Sequence, residues 1–391
     1  MEQLRIPAVI MRGGTSKGVF FRGDVLPSDP EVRDRVILRA FGSPDPYGRQ
    51  IDGLGGATST TSKVCIISPS TRPGCDVDYL FGQVSIDRPL IDYTGNCGNL
   101  SSAVGPFAIE EGMVKGTDPV TVVRIWQVNT QKLIVAHVPT RDGLPEVEGD
   151  YTIDGIPTPG AEIRLEFYEP GGSNTGKLLP TGRVVDELDI PGLGRVPVSM
   201  VDAANPAVFV PAEVLGLAGT ELGDQVDGNP ELLRRLELIR AHAAVAMGLA
   251  RSPEEATRNR PATPKIAFVT RPQAYTTQKG SRVEEDQVDV VSRIMSMGKL
   301  HRAYAVTGAI ATAMAAVLPG TVVNQLARLA VPEEVRIGHP AGVIKVGASV
   351  RQDNGQWTAV KAVVGRTARR LMEGWVRVPA SVLQPQLAAA R

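Results

Sequence analysis

Two reactive side chains lie in glycine-rich parts of the sequence, and the first is Cys97. It belongs to the turn Gly95-Asn96-Cys97-Gly98-Asn99, which runs into a segment of small and apolar residues. Because Asn96 or Asn99 could cap a helix, we expect the thiol in or just before the first helical turn. Free backbone N–H groups and the positive end of the helix dipole would favour a thiolate there and would also bind a carboxylate. A small buried cysteine in a tight turn is the alternative interpretation.

The second reactive group is Lys63. It follows a loop with five consecutive hydroxyl residues, 58–62, and it precedes the apolar segment 64–67, which we predict to be a strand. A lysine that enters an apolar strand can be held near the core, where desolvation favours the neutral amine and makes it a usable base. An ordinary exposed lysine is the alternative. The loop is not a dinucleotide fingerprint, because the third glycine is missing and a strand follows it.

Two further polar, glycine-containing segments are candidates for ligand contacts. Residues 12–18 form a predicted loop between two strands, and they lack the spacing and the following helix of a phosphate-binding P-loop. Residues 296–302 precede the apolar segment 303–318, which we predict to be a buried helix that this turn opens. Each half of the chain would then supply one helix N-terminus.

Composition limits the classes of function. The 391 residues carry 42 basic and 42 acidic side chains, so nothing favours nucleic acid or a membrane surface as a partner. Three cysteines and the lack of an apolar leader favour a reducing cytoplasm. The longest apolar segment is too short to span a bilayer. The four histidines are scattered without metal-ligand spacing, so we expect chemistry without a metal or a cofactor.

Hydrophobic periodicity predicts many short strands and, besides the helix expected after Cys97, three further helices. The predicted helices cover 31–41, 230–249 and 303–318. The predicted strands cover 6–11, 19–21, 64–67, 76–86, 120–126, 132–138, 162–167, 196–201, 208–210 and 265–270, followed by a closing hairpin over 343–364 that turns at Asp353-Asn354-Gly355. We place a domain boundary near Asp186. This gives domains 1–185 and 186–391, with a C-terminal strand that can return to the first domain.

Several of these motifs resemble the PrpF-type 2-methylaconitate cis-trans isomerase family, over almost the whole chain. The resemblance rests on residues 11–18 (MRGGTSKG), 55–63 (GGATSTTSK), 95–99 (GNCGN), 296–301 (SMGKLH), 42–47 (GSPDPY), 78–85 (DYLFGQVS) and 371–378 (LMEGWVRV). It implies the diaminopimelate epimerase-like fold, an α/β (α+β) architecture of two similar domains. Each domain would be a curved, mostly antiparallel sheet around a central helix, with the site between the domains.

The same resemblance implies roles for individual residues. Racemases of this fold use one cysteine per domain, and the first corresponds to Cys97. At the second position this sequence has Tyr304-Ala305-Val306-Thr307-Gly308, which argues against amino-acid racemisation. Lys63 matches the lysine that transfers the proton in the isomerase branch. The predicted substrate contacts are Ser16, Lys17, Ser59, Thr60, Asn96, Gly98, Asn99, Lys265, Ser296, Met297 and His301, and a purely structural role remains open for His301.

The sequence therefore predicts an isomerase of small unsaturated polycarboxylates, with 2-methylaconitate as the leading substrate and allylic proton abstraction as the reaction. A 4-oxalomesaconate tautomerase is the second hypothesis, since it needs the same residues and a different proton. A non-catalytic accessory partner of an aconitase-like enzyme is the third, and the joint presence of Lys63 and Cys97 disfavours it. A small tricarboxylate is the expected partner, and a homodimer is the candidate assembly.

Overall fold

Strands make up most of the structure, a computed structural model that describes residues 2–384. The helices are α1 (Pro30–Phe41), α2 (Gly98–Glu110), α3 (Gly223–Asp227), α4 (Pro230–Ala246), α5 (Pro253–Asn259), α6 (Val306–Val317) and α7 (Val322–Leu326). The strands of the first half are β1 (Gln3–Gly13), β2 (Ser16–Arg22), β3 (Lys63–Pro69), β4 (Val77–Val84), β5 (Ile91–Asp92), β6 (Val120–Gln127), β7 (Lys132–Arg141), β8 (Leu144–Pro145) and β9 (Ile163–Tyr168). The remaining strands are β10 (Asp186–Ile190), β11 (Gly194–Ala203), β12 (Asn205–Pro211), β13 (Lys265–Thr270), β14 (Tyr275–Thr276), β15 (Arg282–Val283), β16 (Val290–Ser296), β17 (Lys299–Leu300), β18 (Glu334–His339), β19 (Gly342–Asp353), β20 (Gln356–Arg366) and β21 (Ala368–Pro379).

The main sheet repeats one pairing pattern twice. One run of hydrogen-bonded neighbours is β21-β1-β2-β3-β4-β6-β7-β9, and the other is β10-β11-β12-β13-β16-β18-β19-β20. In both runs the third and fifth pairings are parallel and the other five are antiparallel. The runs join where β9 pairs antiparallel with β20. Matching positions in the two halves can therefore be identified from strand pairing, although the sequence has no visible residue-level repeat.

A buried helix lies at the centre of each run. Helix α2 packs on β1, β21, β6, β7 and neighbouring strands, and α6 packs on β11, β12, β18 and β19. The side chains of residues 98–109 and 306–316 are buried on every side, which explains why neither helix shows a polar face in the sequence. The two helices meet at their N-termini, where a Cβ on Gly98 would lie 2.7 Å from Cγ1 of Val306. Glycine is therefore required there for close approach.

The mixed α+β class with two similar halves confirms the predicted fold class. Strand β21 pairs with β1 along its length, whereas the division at residues 185 and 186 stays a prediction. Residues 1 and 385–391 of the predicted domains lie outside the described residues. No helix within residues 2–384 combines the length and the apolar character that a membrane crossing requires.

Two local predictions are wrong. Residues 296–302 do not open the buried helix, because Met297 and Gly298, with φ of 52° and 74°, form a two-residue turn that pairs Ser296 with Lys299. Helix α6 begins only at Val306. The loop predicted over 12–18 is also wrong in length. The pairing of β1 with β2 continues up to the pair Gly13 and Ser16, so that only two residues form the turn.

Candidate active site

Lys63 is the first residue of β3, and its side-chain nitrogen is held by a side-chain amide on the next strand. Lys63 is 7% exposed, and its Nζ donates to Oε1 of Gln83 at 2.6 Å. The amide of Gln83 is oriented in turn by its own donation to the Ser62 carbonyl at 3.0 Å. No carboxylate of the described residues lies within ion-pair distance of Nζ, whose neighbours include the Phe81 ring, 5.1 Å away at its centroid. The amine is thus fixed in position by an uncharged partner.

Lys265 occupies the matching position in the second half. Val19 pairs with Val64 in one half and Val208 with Ile266 in the other, so each lysine is the first residue of an equivalent strand. Nζ of Lys265 donates to the Ala262 carbonyl at 3.4 Å. Burial, together with the nearby charge of Lys63, lowers the pKa of Lys265 to about 8. Two lysines therefore enter one site, and Lys265 is partly neutral in mildly alkaline solution.

Cys97 caps the central helix α2 of the first half. Its Sγ accepts the N–H of Leu100 at 3.5 Å and lies 3.8 Å from Oγ of Ser16. Cysteine thus takes the capping place that the sequence analysis assigned to Asn96 or Asn99, because a sulfur can accept from the third residue of the helix as an oxygen does. The thiol sits beside the N–H groups of the first turn, as an anion-binding site requires.

The residue before the cap is fixed by an asparagine of the second half. Asn96 donates its N–H to Oδ1 of Asn205 at 2.8 Å, and Nδ2 of Asn205 donates back to the Asn96 carbonyl at 2.9 Å. The same Nδ2 lies 3.0 Å from Oγ1 of Thr307 in the first turn of α6. Asn205 thereby joins the N-termini of the two central helices. Oδ1 of Asn96 is buried without a partner in residues 2–384 and is available to a ligand.

His301 is a neutral hydrogen-bond donor. Burial, aided by the charges of Lys265 and Lys63, lowers its pKa to about 3. Its Nδ1 accepts the N–H of Ala303 at 3.1 Å, so the proton of the neutral ring must lie on Nε2. His301 can therefore donate to an oxyanion without carrying a charge itself. Ser296, which is 7% exposed, is the last residue of β16 and pairs with Lys299 of β17.

These side chains line one small inner pocket between the two helix N-termini. Of the residues predicted to be catalytic or to bind substrate, Ser16, Lys63, Asn96, Cys97, Gly98, Asn99, Lys265, Ser296 and His301 line it. Its volume of about 30 Å³ accommodates only one or two water molecules. An adjoining cleft of about 850 Å³ shares Gln83, Ser296 and His301 with the pocket. A substrate that reaches the lysines must therefore extend inward from this cleft or displace its walls.

Four predicted substrate contacts lie outside the inner pocket, and one of them also lies outside the adjoining cleft. Ser59, Thr60 and Met297 line the adjoining cleft. Lys17 lines neither space, and its described bond is a backbone N–H to the Thr60 carbonyl at 2.9 Å. Through this bond the backbone of Lys17 supports the loop that contains the hydroxyl residues 58–62.

Sequence reasoning missed the four polar side chains Gln83, Asn205, Thr263 and Thr307 among the residues that line the inner pocket. Gln83 had a usable signal, since it lies in the quoted motif 78–85 and pairs with Lys63. Asn205 had none within its own segment, because its equivalence to Ser16 appears only once β12 is matched with β2. Among residues 2–384 no group of three or more His, Cys, Asp or Glu side chains is placed to hold a metal ion.

A pocket between paired helix N-termini in a twice-repeated sheet defines a racemase- and epimerase-like fold. The solved structure of a probable proline racemase from Agrobacterium radiobacter shares that fold, with a TM-score of 0.54 and 15% identity over 97% of this chain and 94% of that one. Within this class the chain belongs to the PrpF family, whose model, described as PrpF protein, matches residues 3–379.

Several relatives of known name support this assignment. The chain is 49% identical to a 2-methyl-aconitate isomerase of Shewanella oneidensis, covering 96% of this chain and 98% of the relative. It is 51% identical to a 3-methylitaconate isomerase of Eubacterium barkeri, over 96% and 98%, and 39% identical to a 4-oxalomesaconate tautomerase of Pseudomonas putida, over 96% and 97%. The crystal structure of a methylitaconate-delta-isomerase matches all of both chains with a TM-score of 0.80 and 50% identity. The predicted family and the isomerase class are confirmed.

Proposed function

We propose that this protein isomerises small unsaturated polycarboxylates and that its substrate is 2-methylaconitate, interconverted between cis and trans forms. The observation that carries the proposal is the buried amine of Lys63, held by Gln83 in a pocket shared with the Cys97 thiol. The relatives named 2-methyl-aconitate isomerase support this choice of substrate.

Substrate carboxylates would be held by fixed donors from both halves. The N–H groups at the start of α2 and α6 attract negative charge, and Lys265 adds a cation. His301 contributes the Nε2–H donor deduced above. These donors are in place before the substrate arrives, so they can stabilise the charge that develops on it without reorganising.

In the chemical step the amine of Lys63 acts as the base, takes an allylic proton and becomes an ammonium. The electron pair of the broken C–H bond spreads over the adjacent double bond and carboxylate. The former double bond acquires single-bond character and can rotate, and return of a proton to the same carbon completes a cis-trans conversion. Cys97, which caps α2, is placed to donate a hydrogen bond to this anion or to a carboxylate.

A double-bond shift is the second candidate, and the relatives named 3-methylitaconate isomerase and 4-oxalomesaconate tautomerase favour it. It uses the same delocalised anion and returns the proton to the other end. An accessory role without turnover is the third hypothesis, and it gives no reason to bury an unpaired lysine.

Proton NMR in D2O with 2-methylaconitate, 3-methylitaconate and 4-oxalomesaconate as separate substrates tests the proposal. We expect conversion of 2-methylaconitate with wash-in of deuterium at its allylic carbon. Lys63→Met should lower this rate by about 10²–10⁴-fold, as loss of a general base does. The matched control is Lys177→Met, because Lys177 is exposed and lies outside both the pocket and the cleft. Failure of the wild-type protein to convert any of the three acids would refute the function.

We further propose a cytoplasmic location, which is supported by the three free cysteines, Cys65, Cys75 and Cys97. The homodimer stays a prediction that the mass of the native protein in solution will decide.

A further inference from the structure

A second cleft, the rear cleft, lies behind the active site. It has a volume of about 1050 Å³ and is lined by residues of the segment 150–154, of β18 and β19, and of the end of β20. A thin wall of backbone separates it from the inner pocket. Neighbouring residues of the chain line the two spaces. Thr15 and Tyr304 line the rear cleft, whereas the residues that follow them, Ser16 and Ala305, line the inner pocket. The rear cleft is thus a separate space.

Arg366 is the unusual group in this cleft. It is 5% exposed, and its described hydrogen bond runs from Nη1 to the carbonyl of Gly365 at 2.8 Å. Nε has no partner within residues 2–384, and Tyr151 is the ionisable group that acts on the guanidinium. Burial lowers the pKa of Arg366 to about 10, so the side chain still carries its charge at neutral pH. A buried and unpaired guanidinium is costly unless an anion accompanies it.

The other basic side chains of the rear cleft are already neutralised. Arg164 pairs with Glu166 at 2.6 Å, and Arg336 pairs with Asp289 at 2.7 Å. Arg282 pairs with Glu284, and Lys345 pairs with Glu334, at 2.8 and 3.2 Å. Arg366 is the lining cation for which the described residues offer no carboxylate.

Further polar groups line the rear cleft together with Arg366. Thr15 is one of them, and its hydroxyl oxygen is buried and unpaired within residues 2–384. His339, 2% exposed, accepts the N–H of Ala341 on Nδ1 at 3.2 Å, so its neutral ring carries the proton on Nε2. Thr15, His339 and Arg366 line the same cleft, and their hydroxyl, imidazole and guanidinium groups are donors that suit a carboxylate or phosphate group.

Acidic side chains also line the rear cleft. Asp154 is engaged, since it accepts the N–H of Val343 at 2.7 Å. Asp150 and Glu162 remain on the lining, and they would limit a ligand to a small anion placed against Arg366.

We propose that the rear cleft binds a small organic anion, with a carboxylate or phosphate group seated on Arg366, at a site distinct from the active site. The anion would also lie close to the catalytic machinery. A Cβ on Gly14 would lie 3.0 Å from Cδ of Arg366 and 2.1 Å from Oδ1 of Asn99. Arg366 therefore packs on the turn that presents Ser16 to Cys97.

Isothermal titration with inorganic phosphate and, separately, succinate at pH 7 tests this site and distinguishes the two sources of anion. The protein is the full chain carrying Lys63→Met and Lys265→Met, so that both lysine cations of the active site are removed and carboxylate binding there is weakened. We expect one binding site for at least one probe. Adding Arg366→Gln should raise the dissociation constant of the bound probe at least tenfold, in line with loss of a charge-assisted contact.

Arg366→Lys keeps the positive charge but loses the planar guanidinium, so it should weaken binding less than Arg366→Gln does. It is the variant to measure if Arg366→Gln does not fold. The proposal is overturned if neither probe binds at millimolar concentration, or if both Arg366 variants bind as tightly as their parent. Binding by the wild-type protein that disappears in the two-lysine variant would also overturn it, because the anion would then occupy the active site. None of these readouts depends on turnover, so they are independent of the proposed reaction.

Discussion

Replacing Lys265 by methionine should stabilise the substrate-free protein. Burial, with the charge of Lys63, lowers the pKa of Lys265 from 10.5 to about 8 in the folded chain. At about 1.4 kcal/mol per pKa unit, charging this lysine in the fold costs at most about 3.5 kcal/mol at pH 7. The value is an upper bound because the residue keeps some exposure to the pocket. Lys265→Met removes this cost and leaves an apolar chain of similar length.

The pH dependence follows from the same difference in pKa. Between about pH 8 and pH 10.5 the unfolded chain binds more protons at Lys265 than the folded chain does. The free energy of unfolding of the wild-type protein should therefore gain a rising contribution across this range. Lys265→Met lacks that contribution, so its advantage should be full below pH 8 and should vanish near pH 10.5.

Urea unfolding at pH 7 and at pH 10 measures this advantage, with Lys177→Met as the control for loss of an exposed lysine. Substrate binding should change in the opposite direction. Loss of one charge-assisted contact of about 1.5–3 kcal/mol raises KM by roughly 10- to 150-fold with a smaller change in kcat. A Lys265→Met protein that is less stable than wild type at pH 7, or whose advantage is equal at both pH values, would refute the reasoning. A fall in kcat at constant KM would make Lys265 a catalytic group.

Substitutions at three further residues test the remaining parts of the pocket. His301→Ala should raise KM more than it lowers kcat, whereas His301→Gln, which keeps an N–H donor, should stay closer to wild type. If the pH profile of the wild-type enzyme shows an ionisation between pH 5 and 8 that is lost in His301→Gln, the ring of His301 is not neutral as inferred. Cys97→Ser should retain measurable turnover and deuterium wash-in, because a hydroxyl can still donate, and complete loss would assign the proton to the thiol. Gly98→Ala places a Cβ 2.7 Å from Cγ1 of Val306, so it should lower both thermal stability and kcat/KM, and unchanged values would show that the helices can separate.

Local patterns predicted the parts of the fold that depend on neighbouring residues. The hairpin at Asp353-Asn354-Gly355 was predicted because Asn-Gly favours a turn with two positive φ angles, and Asn354 and Gly355 have φ of 50° and 79°. The turn at Met297 and Gly298 has the same geometry. It was assigned to a helix start because the apolar segment that follows gave the stronger signal.

Site residues could be predicted from the sequence where the side chain itself is chemically reactive. Lys63 and Cys97 are reactive types in glycine-rich segments, and both line the inner pocket. Gln83 and Asn205 are ordinary amides whose importance arises from contacts with residues 20 and 109 positions away. Such contacts depend on strand pairing over long separations, which periodicity in a single sequence does not reveal.

The position of β21 has a consequence for synthesis of the protein. This strand is the last of the sheet in chain order, yet it pairs with β1, the first, from Gln3 opposite Pro379 to Gly13 opposite Ala368. During translation β1 therefore offers one unpaired edge until nearly the whole chain has left the ribosome. Exposed strand edges are sites of mispairing and aggregation, so the nascent chain is most vulnerable along β1. The first half, although made first, can complete its sheet only after the second half has been synthesised.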